Sequence, residues 1–214
     1  NGSSALANGT TYSVQIRAVN SAGAGNASLT TTATPVTVPT APLSVVATPG
    51  NASISLNWSA PTSNGGATIT DYEVEYSTNG GSTWFSFING TSAATSASIT
   101  SLTNGTSYTF RVSAVNSEGM GVASVWSTSV APRTVPTAPT GLTLVAGAGS
   151  ISASWTAASS GGSTITDFVV EYSTDGSSWT TFNDGLSTST STTITGLTNG
   201  TAYYVRVSAV NVAG

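Results

Sequence analysis

The stretch Leu102-Thr-Asn-Gly-Thr-Ser-Tyr108-Thr-Phe-Arg111-Val-Ser-Ala-Val-Asn116 decides the fold. It is written three times, as Leu6 to Asn20, Leu102 to Asn116 and Leu197 to Asn211. The Asn-Gly-Thr triplets begin at Asn8, Asn104 and Asn199. A period of about 95 residues is the length of one small domain. After the middle triplet, Tyr108, Phe110, Val112 and Ala114 alternate with Thr109, Arg111 and Ser113. A period of two belongs to a strand with one face buried and the other in water. The stretch therefore reads as a turn that feeds a half-buried strand, once per domain.

Composition sets the outer bounds. The chain has 214 residues, 6% of them charged, with no Cys and no His; its four basic residues are all Arg (Arg17, Arg111, Arg133 and Arg206). Serine and threonine make up about a third of it. With Val, Ile and Tyr well represented, this favours strands and turns over helices. The regular spacing of aromatic and β-branched residues separates the chain from disordered sequences of similarly low charge. A net charge of -4 leaves no basic stripe to neutralise phosphates, which argues against nucleic acid as a partner. No apolar run reaches the roughly 18 residues that span a bilayer, so no membrane insertion is expected. A Lys-free, Ser/Thr-rich chain offers few trypsin-type cleavage sites. That suits an exported bacterial protein, extracellular or on the cell surface.

Outward from the opening stretch, the chain divides in three. Residues 1–35 read as the C-terminal part of a repeat: a strand through Tyr12, Val14, Ile16 and Ala18, a turn at Asn20 to Gly25, and a second strand through Leu29 to Ala33. Two strands do not fold alone, so this piece is expected either to belong to a repeat whose earlier strands lie outside the window or to borrow them. Residues 36–134 read as a complete unit of seven short strands. Trp58 is expected in its core after Ile54 and Leu56, Trp84 and Phe85 follow the Asn79-Gly80-Gly81 turn, and a last strand is expected through Val122, Val125 and Trp126. Residues 135–214 repeat the pattern, with Trp155, Phe168, Val170, Trp179 and Tyr203 in matching places, and stop where the last strand should begin. Pro35, Pro39 and Pro42 return as Pro132, Pro136 and Pro139. Prolines at this spacing cannot continue a ladder and keep the chain extended, so both runs read as short, stiff junctions. Seven short strands with turn signals at regular intervals are the pattern of an all-β sandwich.

The array resembles tandem fibronectin type III domains of the kind found in bacterial extracellular proteins. The resemblance is carried by Trp58 and Trp155 on the second strand and by Tyr72-x-Val74 and Phe168-x-Val170 on the third. The Leu-Thr-Asn-Gly-Thr-x-Tyr corner and Arg-Val-Ser-Ala-Val-Asn complete it, and together these features cover essentially the whole chain. It implies tandem seven-stranded immunoglobulin-like sandwiches joined by the proline junctions. In them Leu102 and Leu197 pin the corner, and Tyr12, Tyr108 and Tyr203 are tyrosine corners whose hydroxyls bond to nearby backbone. Domain three departs from domain two by Ala158 in place of Pro61.

Chemistry is hard to find. A nucleophile needs a base beside it, and no His, Cys or Lys is present to activate the many serines. The acidic row Asp71, Glu73 and Glu75 lacks the converging oxygens of a Ca²⁺ loop. As the third and sixth strands are neighbours in this family, Arg111 is expected to face Glu73 or Glu75, and Arg206 to face Glu171 or Asp167. No catalytic residue, cofactor or metal is expected. Contact candidates are Trp84 and Trp179, which either stack on sugar rings or cover the margin of their own core, and Met120 and Trp126. These last two are not repeated, the first copy having Ala24 and Thr30 in their places. The expected function is a structural segment of a long surface or extracellular protein: a rod-like spacer, or a fibre or sheath subunit. Its partners would be neighbouring repeats of the same chain or other copies of it in a homopolymer. The alternative is an adhesin, or the carbohydrate-binding accessory module of a secreted polysaccharide hydrolase, with a carbohydrate or a host protein as ligand.

Overall fold

Alternating side chains and glycine-marked turns leave the chain little but strands to form. The computed structural model describes residues 5–214. No helix occurs among them, hence none long and apolar enough to cross a membrane. The first strands are short: β1 (Tyr12–Val14), β2 (Val19–Asn20), β3 (Gly23–Ala24) and β4 (Thr31–Ala33). β1 pairs with β4 and β2 with β3, both antiparallel. In and between these strands the apolar side chains Val14, Ile16, Val19 and Leu29 stay exposed.

The second repeat is a seven-stranded sandwich: β5 (Leu43–Gly50), β6 (Ser53–Ser59), β7 (Asp71–Ser77), β8 (Phe85–Phe87), β9 (Ser96–Thr100), β10 (Thr109–Asn116) and β11 (Gly119–Met120). One sheet has the order β5-β6-β9 and the other β11-β10-β7-β8. The opening stretch supplies β10, whose Phe110, Val112 and Ala114 are wholly buried. From the opposite sheet come Ile54, Leu56, Trp58 and Ile99, also buried. Trp58 meets Tyr72 edge-on across the two sheets, with ring centroids 5.4 Å apart, a favoured aromatic geometry.

The expected last strand takes a different form. Only Gly119–Met120 is a strand, and residues 121–129 run beside β10 without a regular ladder. Val122 and Val125 point to solvent, while Ser124 and Ser127 are buried. Their hydroxyls accept the N–H groups of Val112 (3.0 Å) and Phe110 (3.1 Å). Their own N–H groups donate to the carbonyls of those same residues. The inward positions are therefore three residues apart and polar, and Val122 and Val125 of the expected strand face outward. In the first copy Ser28 repeats the device, accepting the Ile16 N–H at 3.0 Å.

The third repeat contributes β12 (Thr140–Gly147), β13 (Ser150–Thr156), β14 (Asp167–Ser173), β15 (Thr180–Phe182), β16 (Ser191–Thr195) and β17 (Tyr204–Val210). They form sheets β12-β13-β16 and β15-β14-β17. Their core is Ala153, Trp155, Phe168, Val170 and Ile194, with Leu197, Val205 and Val207 packed against it. By their contacts the residues fall into two compact units. One takes the chain up to Thr48 with Ser55–Ile99 and Tyr108–Val130; the other takes Pro49–Ile54, Thr100–Ser107 and Ala131–Gly214.

Candidate interaction surface

The corner that opens each copy is held by main-chain bonds. The Tyr12 hydroxyl accepts the Ala7 N–H at 2.8 Å, and the Tyr203 hydroxyl accepts the Thr198 N–H at 3.1 Å. Tyr108 is buried between Tyr76 and Phe110. Leu102 and Leu197, both half-buried, donate their N–H groups to the carbonyls of Ala52 and Gly149. Trp58 and Trp155 lie in the two cores, and each has its indole N–H buried without an acceptor. These residues sit in the cores and corners of their repeats.

The outward face of β7 and β10 is different. Antiparallel register sets Arg111 opposite Glu75 and Arg206 opposite Glu171. Both pairs are bidentate: 2.7 and 3.0 Å in the second repeat, 2.7 and 3.1 Å in the third. Two parallel N–H···O bonds fix the plane of a guanidinium as well as its position. The bond from Arg206 holds the Glu171 carboxyl below its ordinary pKa, and the same bond raises that of Arg206. Glu73 has no part in this pairing; it stands opposite Ser113.

Each fixed guanidinium carries an indole. Arg111 lies over the ring of Trp84 at 4.4 Å and Arg206 over Trp179 at 4.2 Å. An exposed cation–π contact contributes about 0.5–1 kcal/mol. Trp84 and Trp179, both half-buried, thus lie against an ion pair on the outer face of the sheet. Trp126 adds a further layer in the second repeat, stacked on Trp84 with centroids 5.8 Å apart and planes 29° apart. Its six-membered ring also rests on Gly81, where a Cβ would come within 3.1 Å. A contact with another domain is therefore not needed to account for Trp126, because its partner is in its own repeat. The order Glu75–Arg111–Trp84–Trp126 is a four-residue stack. In the first copy Gln15 and Thr30 stand in the places of Arg111 and Trp126 and share one hydrogen bond of 2.8 Å.

Met120 pairs through its backbone with Val115 at the hairpin after β10, and its side chain is exposed. Trp126 remains 54% exposed and Phe85 53%, so the stack ends in an apolar edge that faces water. The carboxylates of Asp71 and Asp167 are engaged with backbone, accepting the N–H groups of Ser92 and Ser187. Asp175 accepts those of Ser177 and Ser178, which hold its carboxyl far below the usual range. Among the described residues no three His, Cys, Asp or Glu side chains gather as metal ligands do. The resemblance, which makes the third and sixth strands neighbours, together with strand alternation narrows the partners to Glu73 or Glu75 for Arg111 and Glu171 or Asp167 for Arg206, and the register selects Glu75 and Glu171. Sequence reasoning missed the indole on top of each, because Trp84 and Trp179 leave the turn just before β8 and β15 begin and no strand period applies to them.

Comparison with known proteins agrees with this architecture. A family model described as the fibronectin type III domain matches residues 38–130 and 137–214. The Kelch domain-containing protein SSO1033 of Saccharolobus solfataricus is 33% identical over 114 residues, which are 53% of this chain and 15% of that protein. The chain thus spans a small part of this curated relative. Among solved structures, domains A168-A170 of titin are 30% identical with a TM-score of 0.43, over 50% of this chain and 38% of that one. The FN1-FN3 domains of chicken CNTN1 are 23% identical with a TM-score of 0.45, over 98% of this chain and 73% of that one.

Proposed function

Because the chain belongs to the fibronectin type III family, we propose that it is a non-catalytic structural segment of a longer extracellular or cell-surface protein. It acts there as a spacer, or as a fibre or sheath subunit, whose partners are neighbouring repeats of the same chain or other copies of it. One observation carries this reading: Trp84 and Trp179, the repeated outward indoles, are engaged within their own repeats. Trp84 lies between Arg111 and Trp126, and Trp179 has Arg206 against it. A sugar ring needs an open indole face, and at Trp84 both Arg111 and Trp126 compete for that place. The absence of His, Cys and Lys supports the non-catalytic part, and the four-arginine composition supports a place outside the cell, where proteases act.

The second reading, an adhesin or a carbohydrate-binding accessory module, draws on the exposed edge of Trp126, Phe85 and Met120. A glycan array probed with the fluorescently labelled chain separates the two. The structural reading expects no specific binding. Glycan binding that disappears in Trp126→Ala or Trp179→Ala overturns it in favour of the adhesin.

A further inference from the structure

The Asn-Gly-Thr turn recurs with one neighbour. In the first compact unit the Asn8-Gly9 turn lies against Gly66, and in the second the Asn104-Gly105 turn lies against Gly162. The approach is backbone to backbone. A Cβ on Gly9 would stand 3.0 Å from the Gly66 Cα, and one on Gly105 would stand 3.2 Å from the Gly162 Cα. From the other side the fit is tighter: a Cβ on Gly162 would lie 2.5 Å from the Gly105 nitrogen and 2.8 Å from the Asn104 carbonyl carbon. A Cβ on Gly66 would collide with the Gly9 nitrogen in the same way.

The glycine before each of these, Gly65 or Gly161, meets the junction peptide. A Cβ there would strike the carbonyl oxygen of Thr37 or Thr134. The junction is bonded as well as packed. Thr37 N–H donates to Gly65 O at 2.8 Å, and Thr134 N–H donates to Gly161 O at 2.9 Å. The buried Asn116 amide donates to Thr37 O and Asn64 O, at 2.8 and 2.7 Å. Asn211 does the same to Thr134 O and Ser160 O, at 2.9 and 2.7 Å. On the turn side Gly9 N–H donates to Pro35 O and Gly105 N–H to Pro132 O, both at 2.9 Å. Two copies with matching partners and nearly matching distances are a designed contact.

We propose that the Asn-Gly-Thr turn of a repeat is a docking surface for the Gly-Gly turn of the repeat that follows, and that the two glycines are the determinants that admit it. The partner it fits is another fibronectin type III repeat carrying Gly-Gly in that loop and a proline junction whose carbonyls the closing Asn can hold. A repeat with a side chain at either glycine does not dock. As an account of how a spacer keeps its junctions fixed this rests on the structural reading above; the docking itself is tested apart from it.

The cysteine-free chain allows spin labels at the exposed strand positions Thr100→Cys and Thr195→Cys, both within the second compact unit, whose separation is read by pulsed electron double resonance. The parent is expected to give one narrow distance distribution, and Gly162→Ala a distribution at least twice as wide. Gly200→Ala is the control. Gly200 holds the same left-handed backbone as Gly105, φ 80° against 83°, but nothing lies within 4 Å of its Cβ position, so its distribution should match the parent's. If Gly162→Ala fails to fold, as judged by the amide shifts of Val170 and Ile194, Gly105→Ala replaces it with the same expected broadening. A parental width in the junction variant, or equal broadening in Gly200→Ala, overturns the proposal. Glycan binding would overturn the structural reading and leave the distance result unaffected.

Discussion

Ser44, Ala52 and Ser101 hold left-handed backbones, with φ of 55°, 47° and 62°, and the next repeat has Gly141, Gly149 and Gly196 at those places, with φ of 64°, 62° and 77°. A side chain in that region costs roughly 1–2 kcal/mol, and glycine returns roughly 0.5–1 kcal/mol of that as chain entropy. Ser44→Gly, Ala52→Gly and Ser101→Gly should therefore each stabilise the second repeat by about 0.5–1 kcal/mol. For a domain this size about 1 kcal/mol moves Tm by roughly 4–8 °C. Calorimetry of the triple variant checks it, and an unchanged or lower Tm would sink the argument. Residue-level features differ in how far the sequence shows them. The Arg111–Glu75 pair follows from alternation and family topology, because both residues sit on strands whose faces are set by their buried neighbours. The stack above it does not, since the placement of Trp84 and Trp126 depends on a turn and on an irregular edge.

The edge segment 121–129 is the element where periodicity and structure part. A count of apolar residues expects a last regular strand through Val122, Val125 and Trp126. The chain instead turns Ser124 and Ser127 inward, where each hydroxyl accepts a main-chain N–H of β10. A hydroxyl that replaces a carbonyl is invisible to any reading of hydrophobic spacing. Removing it leaves a buried N–H without an acceptor, at a cost of about 1–3 kcal/mol. Ser124→Ala and Ser127→Ala should each destabilise the second repeat by that amount, with faster amide exchange at Val112 and Phe110 respectively. The exposed Ser129→Ala should stay within about 0.5 kcal/mol of the parent. Equal stability of all three variants would show that water takes over the lost bonds. The regular strands were legible in advance, because Ile54-Leu56-Trp58 and Phe110-Val112-Ala114 alternate without interruption and fill one core.

At the scale of the molecule, the junctions govern where the chain is open to attack. Trypsin has four arginines to choose from. Arg111 and Arg206 are on paired strands with their guanidinium groups engaged. At Arg133 the residue's own N–H is bonded to Gly50 O, the following N–H is bonded to Gly161 O, and Pro132 before it is buried. Arg17 is exposed and lies outside the strands, between β1 and β2. Proteolytic nicking needs backbone that can leave its bonds, so native digestion should cut after Arg17 first and spare Arg133. A first cut after Arg133, seen by mass spectrometry, would mean that the junction opens readily. The proline runs marked both junctions in the sequence, but the Gly-Gly turns that close on them came to light only in three dimensions. The serine-lined edge has a further consequence for a chain built from near-copies. Similar neighbours are prone to trade strands while they fold, and a long regular edge is the template for such exchange. A border that satisfies β10 with two hydroxyls and turns Val122 and Val125 to water gives an incoming strand no continuous ladder to join, which protects the second repeat from misassembly with its neighbours.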